Sequence, residues 1–186
     1  MKTPNKYRQM EFKNLLLELT VLLQPKSYLE LGVKDGYTFN AIAPLVDKAY
    51  AVDFNQRKSV TINNNVEFFE MSTINFYEEF KTRNEKVDFI FVDADHKKES
   101  VIIDIAIAKE FITPFSGLIF IHDTYPIKEE LMCQGYCHTA WEAIQSIKPD
   151  IKAMHMELLT IPGPWAGLSI MRYTPNNKHG WMDFEK

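Results

Sequence analysis

Apolar positions along this chain follow two rhythms. Between Tyr7 and Leu23, the residues Met10, Leu15, Leu16, Leu19, Leu22 and Leu23 recur at three- and four-residue steps, which predicts an amphipathic helix ended by Pro25. After that the apolar residues come in short continuous runs, SYLELG, KAYAVDF, NVEFFEM, VDFIFVDAD and GLIFIHD, each of strand length. Helical patterns at 38–45, 74–80 and Lys98–Phe111 separate them. Strands that are apolar on both faces and alternate with helices predict a parallel sheet covered on both sides, an α/β, doubly wound, Rossmann-like architecture.

The alternation stops near the C-terminus. After the helical stretch TAWEAIQSI, the segments IKAMHMELLTI and GLSIMRY are separated only by PGPWA, too short for a parallel crossover. The sheet is therefore expected to be mostly parallel with a C-terminal antiparallel hairpin. The chain reads as a single domain, 1–186, with an N-terminal helix in 1–24, a sheet core over 25–175 and a tail at 176–186. No repeat, low-complexity tract or Gly/Ser linker divides it.

Composition narrows the class. At 186 residues, 46% hydrophobic and 25% charged, the chain can bury a substantial core. The opening MKTPNKYRQMEFKN lacks an apolar targeting core, and no later run reaches the roughly 20 apolar residues of a membrane span, so a cytoplasmic location without a membrane partner is expected. A net charge of −4, with Lys and Arg scattered among acids, points away from nucleic acid and toward a small-molecule substrate. Cys133 and Cys137 are spaced CxxxC; even with His138 alongside they fall short of a four-ligand zinc set. The apolar N-terminal helix and the hairpin leave room for a homodimer.

The first strand runs into ELGVKDG, and Asp53 ends the second strand about twenty residues on, the spacing of a ribose-binding βαβ unit. Gly32 and Gly36 permit a tight turn and close backbone approach to a ligand. Glu30 and Asp35 flank the turn, however, and Lys34 stands where dinucleotide loops usually carry glycine. Two carboxylates there repel a pyrophosphate and suit a cationic ligand. Asp53 can accept hydrogen bonds from a pair of ribose hydroxyls.

YLELGVKDG and AVDF in this order resemble the first two motifs of the class I S-adenosylmethionine-dependent methyltransferases, whose seven-stranded sheet ends in the same kind of hairpin. The resemblance implies S-adenosyl-L-methionine as cofactor, with Glu30 and Gly32 near its methionine part, Gly36 in the same cofactor-binding loop, Asp53 on the ribose, and Met71 and Ser72 near the adenine. Asp95 is expected either to cap the helix that begins near Lys98 or to contact cofactor or substrate.

The fourth strand ends FIFVDADH and the fifth GLIFIHD. Neighbouring strands lie about 4.8 Å apart, so Asp93, His122 and Asp123 should converge where ligands bind in such sheets. Oxygen-rich sets suit Mg²⁺ or Mn²⁺, and a histidine shifts the preference toward transition metals. VDADHKKES followed by GLIFIHDTYP resembles the metal-dependent O-methyltransferases of the catechol, caffeoyl-CoA and macrolide-sugar type. That resemblance implies Asp93 and Asp123 as metal ligands and His96 as the catalytic base. His122 stands where those enzymes usually have Asp or Glu; it is either a third ligand or a core histidine that orients Asp123.

The long connection TYPIKEELMCQGYCHTA offers Tyr125, Cys133, Tyr136 and His138 as substrate contacts, with Trp165 as a further candidate at the hairpin turn. No [DN]PPY stretch follows the fourth strand, which disfavours N-methylation. The function expected is metal-assisted O-methylation of a small hydroxylated compound. Alternatives are a metal-independent methyltransferase with a histidine base, an NAD(P)-dependent oxidoreductase on a related sheet, and a non-catalytic cofactor-binding module.

Overall fold

The computed structural model describes residues 5–163 and 166–174, with only the helix backbone for 5–11. Trp165 and the tail at 176–186 lie outside the described residues. Seven strands form one sheet: β1 (Ser27–Leu31), β2 (Lys48–Asp53), β3 (Val66–Glu70), β4 (Phe89–Val92), β5 (Leu118–His122), β6 (Met156–Ile161) and β7 (Leu168–Tyr173). Their order is β3-β2-β1-β4-β5-β7-β6. The first five pair in parallel, whereas β7 runs antiparallel to both β5 and β6. The doubly wound fold with a terminal hairpin is as the sequence predicts, although β6 is shorter than its apolar run: 151–155 is a turn that ends at His155 with φ +55°.

Strand periodicity decides which side chain meets which layer. Tyr28, Ala49, Ala51, Phe89, Phe91 and Phe120 face one side, where α1 (Asn5–Leu23) and α2 (Phe39–Ile42) cover them. Leu29, Leu31, Val52, Ile90, Val92 and Ile121 face the other, beneath α3 (Thr73–Phe80), α4 (Lys98–Phe111) and α5 (Ala140–Ile147). The aromatic rings of Phe76, Phe80 and Phe111 lock the second layer in edge-on and stacked pairs.

The helix α1 forms, but its buried face is not the one its leucines alone predict. Phe12, Leu16 and Thr20 point inward at four-residue steps, with Leu15 and Leu19 half-buried beside them, and Leu22 is 75% exposed. Thr20 is tolerated inside because its hydroxyl donates to the Leu16 carbonyl at 2.7 Å. Met10 is among the residues whose side chains are not described.

The sheet order reverses direction between β1 and β4, so the loops after these two strands leave toward opposite faces and open a crevice. They still cross closely. Gly32 has φ +93°, and a Cβ there would stand 2.4 Å from the Ala94 Cα and 2.5 Å from the Asp93 carbonyl oxygen. Gly32→Ala therefore combines a left-handed backbone with a backbone clash. A loss of about 2 kcal/mol or more in unfolding free energy is expected, read as a lower urea midpoint at unchanged slope; an unaltered midpoint would show that the two loops are free to part.

Candidate active site

The C-terminal ends of β1 to β5 open into a cleft of about 700 Å³. Its walls include every residue expected for cofactor, metal or catalysis except Gly36: Glu30, Gly32, Asp53, Met71, Ser72, Asp93, Asp95, His96, His122 and Asp123. Gly36 stands apart with φ +76°, where an added Cβ would press on the Asn40 side chain at 2.9 Å; it shapes the turn.

Glu30 and Tyr28 sit two apart on β1, hence on one face, and the Tyr28 hydroxyl donates to Glu30 Oε2 at 2.6 Å. Burial pushes the Glu30 carboxyl well above its usual range; the Tyr28 bond opposes this, and Asp93, Asp35 and Asp53 push it further up. Burial and the neighbouring Glu30 raise Tyr28 as well. Four carboxyl groups thus surround one end of the cleft. Asp53 is fixed by backbone donors, Lys34 N–H to Oδ2 at 2.7 Å and Asn55 N–H to Oδ1 at 3.3 Å. Each of its oxygens keeps a second acceptor site, so the paired-acceptor role remains geometrically open.

Ser72 caps α3, its Oγ accepting from the Asn75 N–H at 3.1 Å. Asp95 does not cap α4. Its Oδ2 accepts from the Ser100 hydroxyl at 2.8 Å, while the first N–H of α4, at Lys98, donates to Thr139 Oγ1 at 2.9 Å. The cap comes from the far end of the 123–139 connection, a placement that reading local spacing does not reach.

The residues at the ends of β4 and β5 close into a ring of alternating imidazoles and carboxylates. His122 Nδ1 lies 3.0 Å from Asp93 Oδ1 and 3.2 Å from Asp123 Oδ1. His96 completes the ring, with Nδ1 3.2 Å from Asp123 Oδ2 and Nε2 3.3 Å from Asp93 Oδ1. Burial pushes the Asp93 carboxyl up, but His122 and then His96 outweigh it and hold the group well below the usual carboxylate range. His122 is only 7% exposed, its ring edge-on to Phe12 at 4.9 Å and to Phe91 at 6.0 Å. It follows Phe120 on the α1 face, so strand periodicity makes it a core-packed ring with one nitrogen turned into the cleft. Asp123 is wholly buried and non-glycine at φ +61°, a conformation that aims its carboxylate back at both histidines. Among the described residues, no three His, Cys, Asp or Glu side chains stand in an arrangement that holds a metal ion.

The 123–139 connection folds over the cleft. The Tyr136 carbonyl bonds His96 Nδ1, and the Thr139 N–H donates to the His96 carbonyl at 3.1 Å. Of the four side chains expected to meet substrate here, only His138 lines the cleft, joined by Gln134 and Gly135. Tyr125 lines a separate lateral cavity beside Trp141, and Tyr136 contributes its backbone. The CxxxC pair is split: Cys137 is buried against Leu131 and Ala166, and Cys133 is exposed. This separates the two thiols and removes any reason to read them as a zinc pair.

Several lining residues escape the sequence reading. Phe54 is 71% exposed beside Asp53, an apolar ring left in water at the cleft wall. Ser100, Ile103 and Asp104 approach from α4, whose own pattern reads simply as amphipathic.

Comparison with known proteins agrees with this fold. The fold matches an O-methyltransferase from Bacillus cereus solved with SAH (TM-score 0.69, 16% identity, covering 88% of this chain and 80% of that one). It also matches the O-methyltransferase TomG of tomaymycin synthesis from Streptomyces achromogenes, solved with SAM (0.68, 12%, 88% and 80%). A third match is the SAH-bound methyltransferase PaMTH1 from Podospora anserina (0.68, 15%, 87% and 77%). Such identities speak for the fold alone. No curated protein sequence matches the chain significantly. Residues 29–124, just over half of the chain, match the family model of a methyltransferase domain, and this stretch runs from β1 through Asp53, Asp93 and His96 to the residue after Asp123. A domain so matched, with an acidic first loop where an oxidoreductase would hold a pyrophosphate, belongs to the methyltransferase domain family.

Proposed function

We propose that the chain transfers a methyl group from S-adenosylmethionine to a hydroxyl oxygen of a small acceptor. The observation that carries this reading is the sharing of one cleft: the acidic end at Glu30, Asp35 and Asp53 opens directly onto the Asp93–His122–Asp123–His96 ring. A sulfonium and an ammonium group are cations, and the carboxyl groups of that end favour them. Bound there, the cofactor presents an electrophilic methyl carbon. The likeness to O-methyltransferases solved with SAH and SAM supports the choice of donor and of oxygen as acceptor.

The chain's own residues then supply alignment and proton transfer. The acceptor oxygen forms a bond to the methyl carbon as the carbon–sulfur bond breaks, and the hydroxyl proton leaves to a histidine. His96 fits this role in the tautomer whose Nδ1–H donates to the Tyr136 carbonyl, because Nε2, 3.3 Å from Asp93 Oδ1, is then unprotonated and takes the proton. Asp93, held ionised, stabilises the imidazolium that forms.

By residue type alone the ring's donor set suits a divalent ion, although among the described residues these side chains pair with one another and are not arranged around a metal. Two carboxylates and an imidazole nitrogen meet within 3.0–3.2 Å at His122 Nδ1, a mixed oxygen and nitrogen set that suits Mn²⁺ or Fe²⁺ better than Mg²⁺. Asp93, His122 and Asp123 would hold it, and it would supply charge stabilisation at the acceptor oxygen. The pairing of the imidazoles with carboxylates favours a second reading, proton transfer by the His–Asp ring without a metal.

Asp53→Ala is expected to weaken S-adenosylhomocysteine binding about tenfold or more in calorimetric titration; undiminished affinity would remove Asp53 from the cofactor site. Asp93→Ala should retain cofactor binding yet lose turnover by about 100-fold or more. Activity abolished by a chelator and restored by Mn²⁺ selects the metal-assisted reading, and chelator-resistant activity lost in His96→Ala selects the other. Because Glu30 has a raised carboxyl, its burial disfavours the ionised form. The stability it contributes is greatest below the unfolded value and is lost as pH rises through the folded one. Glu30→Gln should therefore raise the unfolding free energy more at pH 8 than at pH 5, by about 1 kcal/mol, while weakening S-adenosylhomocysteine binding. An equal gain at both pH values would contradict the buried-acid account.

A further inference from the structure

A second cavity, of about 570 Å³, lies between the start of the 123–139 connection, α5 and β6. It shares no lining residue with the reaction cleft and has no part in the methyl transfer. Two aromatic side chains stand in its walls, Tyr125, which is 50% exposed, and the half-buried Trp141, with Met132, Ile144 and Leu158 beside them. A cavity of this size and lining suits a small flat molecule.

The polar groups of the cavity have a direction. Thr160 and Ser169 are partners across the β6–β7 pair, and their hydroxyl oxygens lie 2.9 Å apart. The Ser169 hydroxyl donates in turn to Thr124 Oγ1 at 2.9 Å. A hydroxyl has one proton to give. Because the Ser169 proton lies toward Thr124, Thr160 is the donor to Ser169, and the proton of Thr124 points away from both. Thr124 is only 4% exposed and lines the cavity, and its hydroxyl donates to no other described residue. The three hydroxyls therefore end on a donor that an acceptor within the cavity completes.

Charge selects the kind of acceptor. Gln145 and Lys148 stand on the α5 wall, and no Asp or Glu lines this cavity, in contrast to the carboxyl groups of the cleft. In a chain of net charge −4, a cavity with a cation and no acid favours an anion. We propose that this cavity is a second binding site, for a small aromatic carboxylate. The ring lies against Tyr125 and Trp141, and the carboxylate accepts from the Thr124 hydroxyl and is drawn by the Lys148 charge. Thr124 follows Asp123 directly, so the site adjoins the reaction cleft without sharing a wall residue with it. It stands independently of the cofactor reading.

The test is a titration of the ¹⁵N-labelled full chain, followed by amide NMR, with three probes that share one ring: indole-3-acetate, its neutral amide and the cation tryptamine. Indole-3-acetate should give saturable shifts centred on residues 124–126 and 141–148. It should bind about threefold more tightly than the amide and about tenfold more tightly than tryptamine. Lys148→Gln should bring the acid down to the affinity of the amide and leave the amide unchanged. Thr124→Val should weaken acid and amide alike, since both offer a carbonyl oxygen to the lost donor. Leu158→Trp fills the cavity and should abolish binding of all three probes while the rest of the amide spectrum stays in place, which separates loss of the site from loss of the fold. Tryptamine binding as tightly as the acid would overturn the proposal. So would shifts centred on the cleft residues Glu30, Asp53 and His96, or the absence of saturable shifts with indole-3-acetate up to low-millimolar concentration.

Discussion

The site depends on one close approach: the turn after β1 and the turn after β4 pass each other with no room for a side chain at Gly32. Because β1 and β4 are adjacent in the sheet although distant in sequence, their loops must separate immediately to reach helices on opposite faces. The glycine lets them begin in contact. Glu30, Asp93 and the backbone amides between them are thereby gathered at one point, and the remaining strand ends add Asp53 on one side and His122 and Asp123 on the other. Without that crossing the carboxyl groups would be separate surface charges of little consequence.

Gathering them has an energetic sign that explains much of the local structure. Burial raises Glu30 and Asp104, whereas the two imidazoles hold Asp93 down. The cleft therefore contains both kinds of buried acid: one ionised by its partners, and others under pressure to neutralise. Two groups with environments pushed apart in this way are a recurring property of sites that bind a cation and move a proton. The hydrogen bonds from Tyr28 to Glu30 and from the Lys34 amide to Asp53 keep these carboxyl groups ordered without neutralising them.

Most of this was legible in the sequence because strands impose a period of two and end where the apolar run ends. VDADH and IHD place Asp93, His96, His122 and Asp123 by that logic, and all four meet within 3.3 Å. Legibility fails where a residue's partner comes from another element. The buried face of α1 is set by the aromatic layer of the sheet, so Phe12 and Thr20 point inward where the leucine pattern favoured Leu22. Asp95 lost the capping role to Thr139, which lies 41 residues downstream of Lys98. Asp104 carries no motif at all; only the packing of α4 against α3 brings it to the cleft.

Asp123 holds a further implication for how such a chain changes over generations. Its left-handed backbone conformation is one that glycine adopts freely and asparagine tolerates, at a relief of up to about 1 kcal/mol. Aspartate codons reach both residues by a single nucleotide substitution. At this position, then, the easiest genetic steps relax the main chain while erasing a carboxylate that faces two histidines. Selection for folding and selection for chemistry point in opposite directions at one residue. A lineage freed from the need for catalysis should lose the charge here early, and keep the fold.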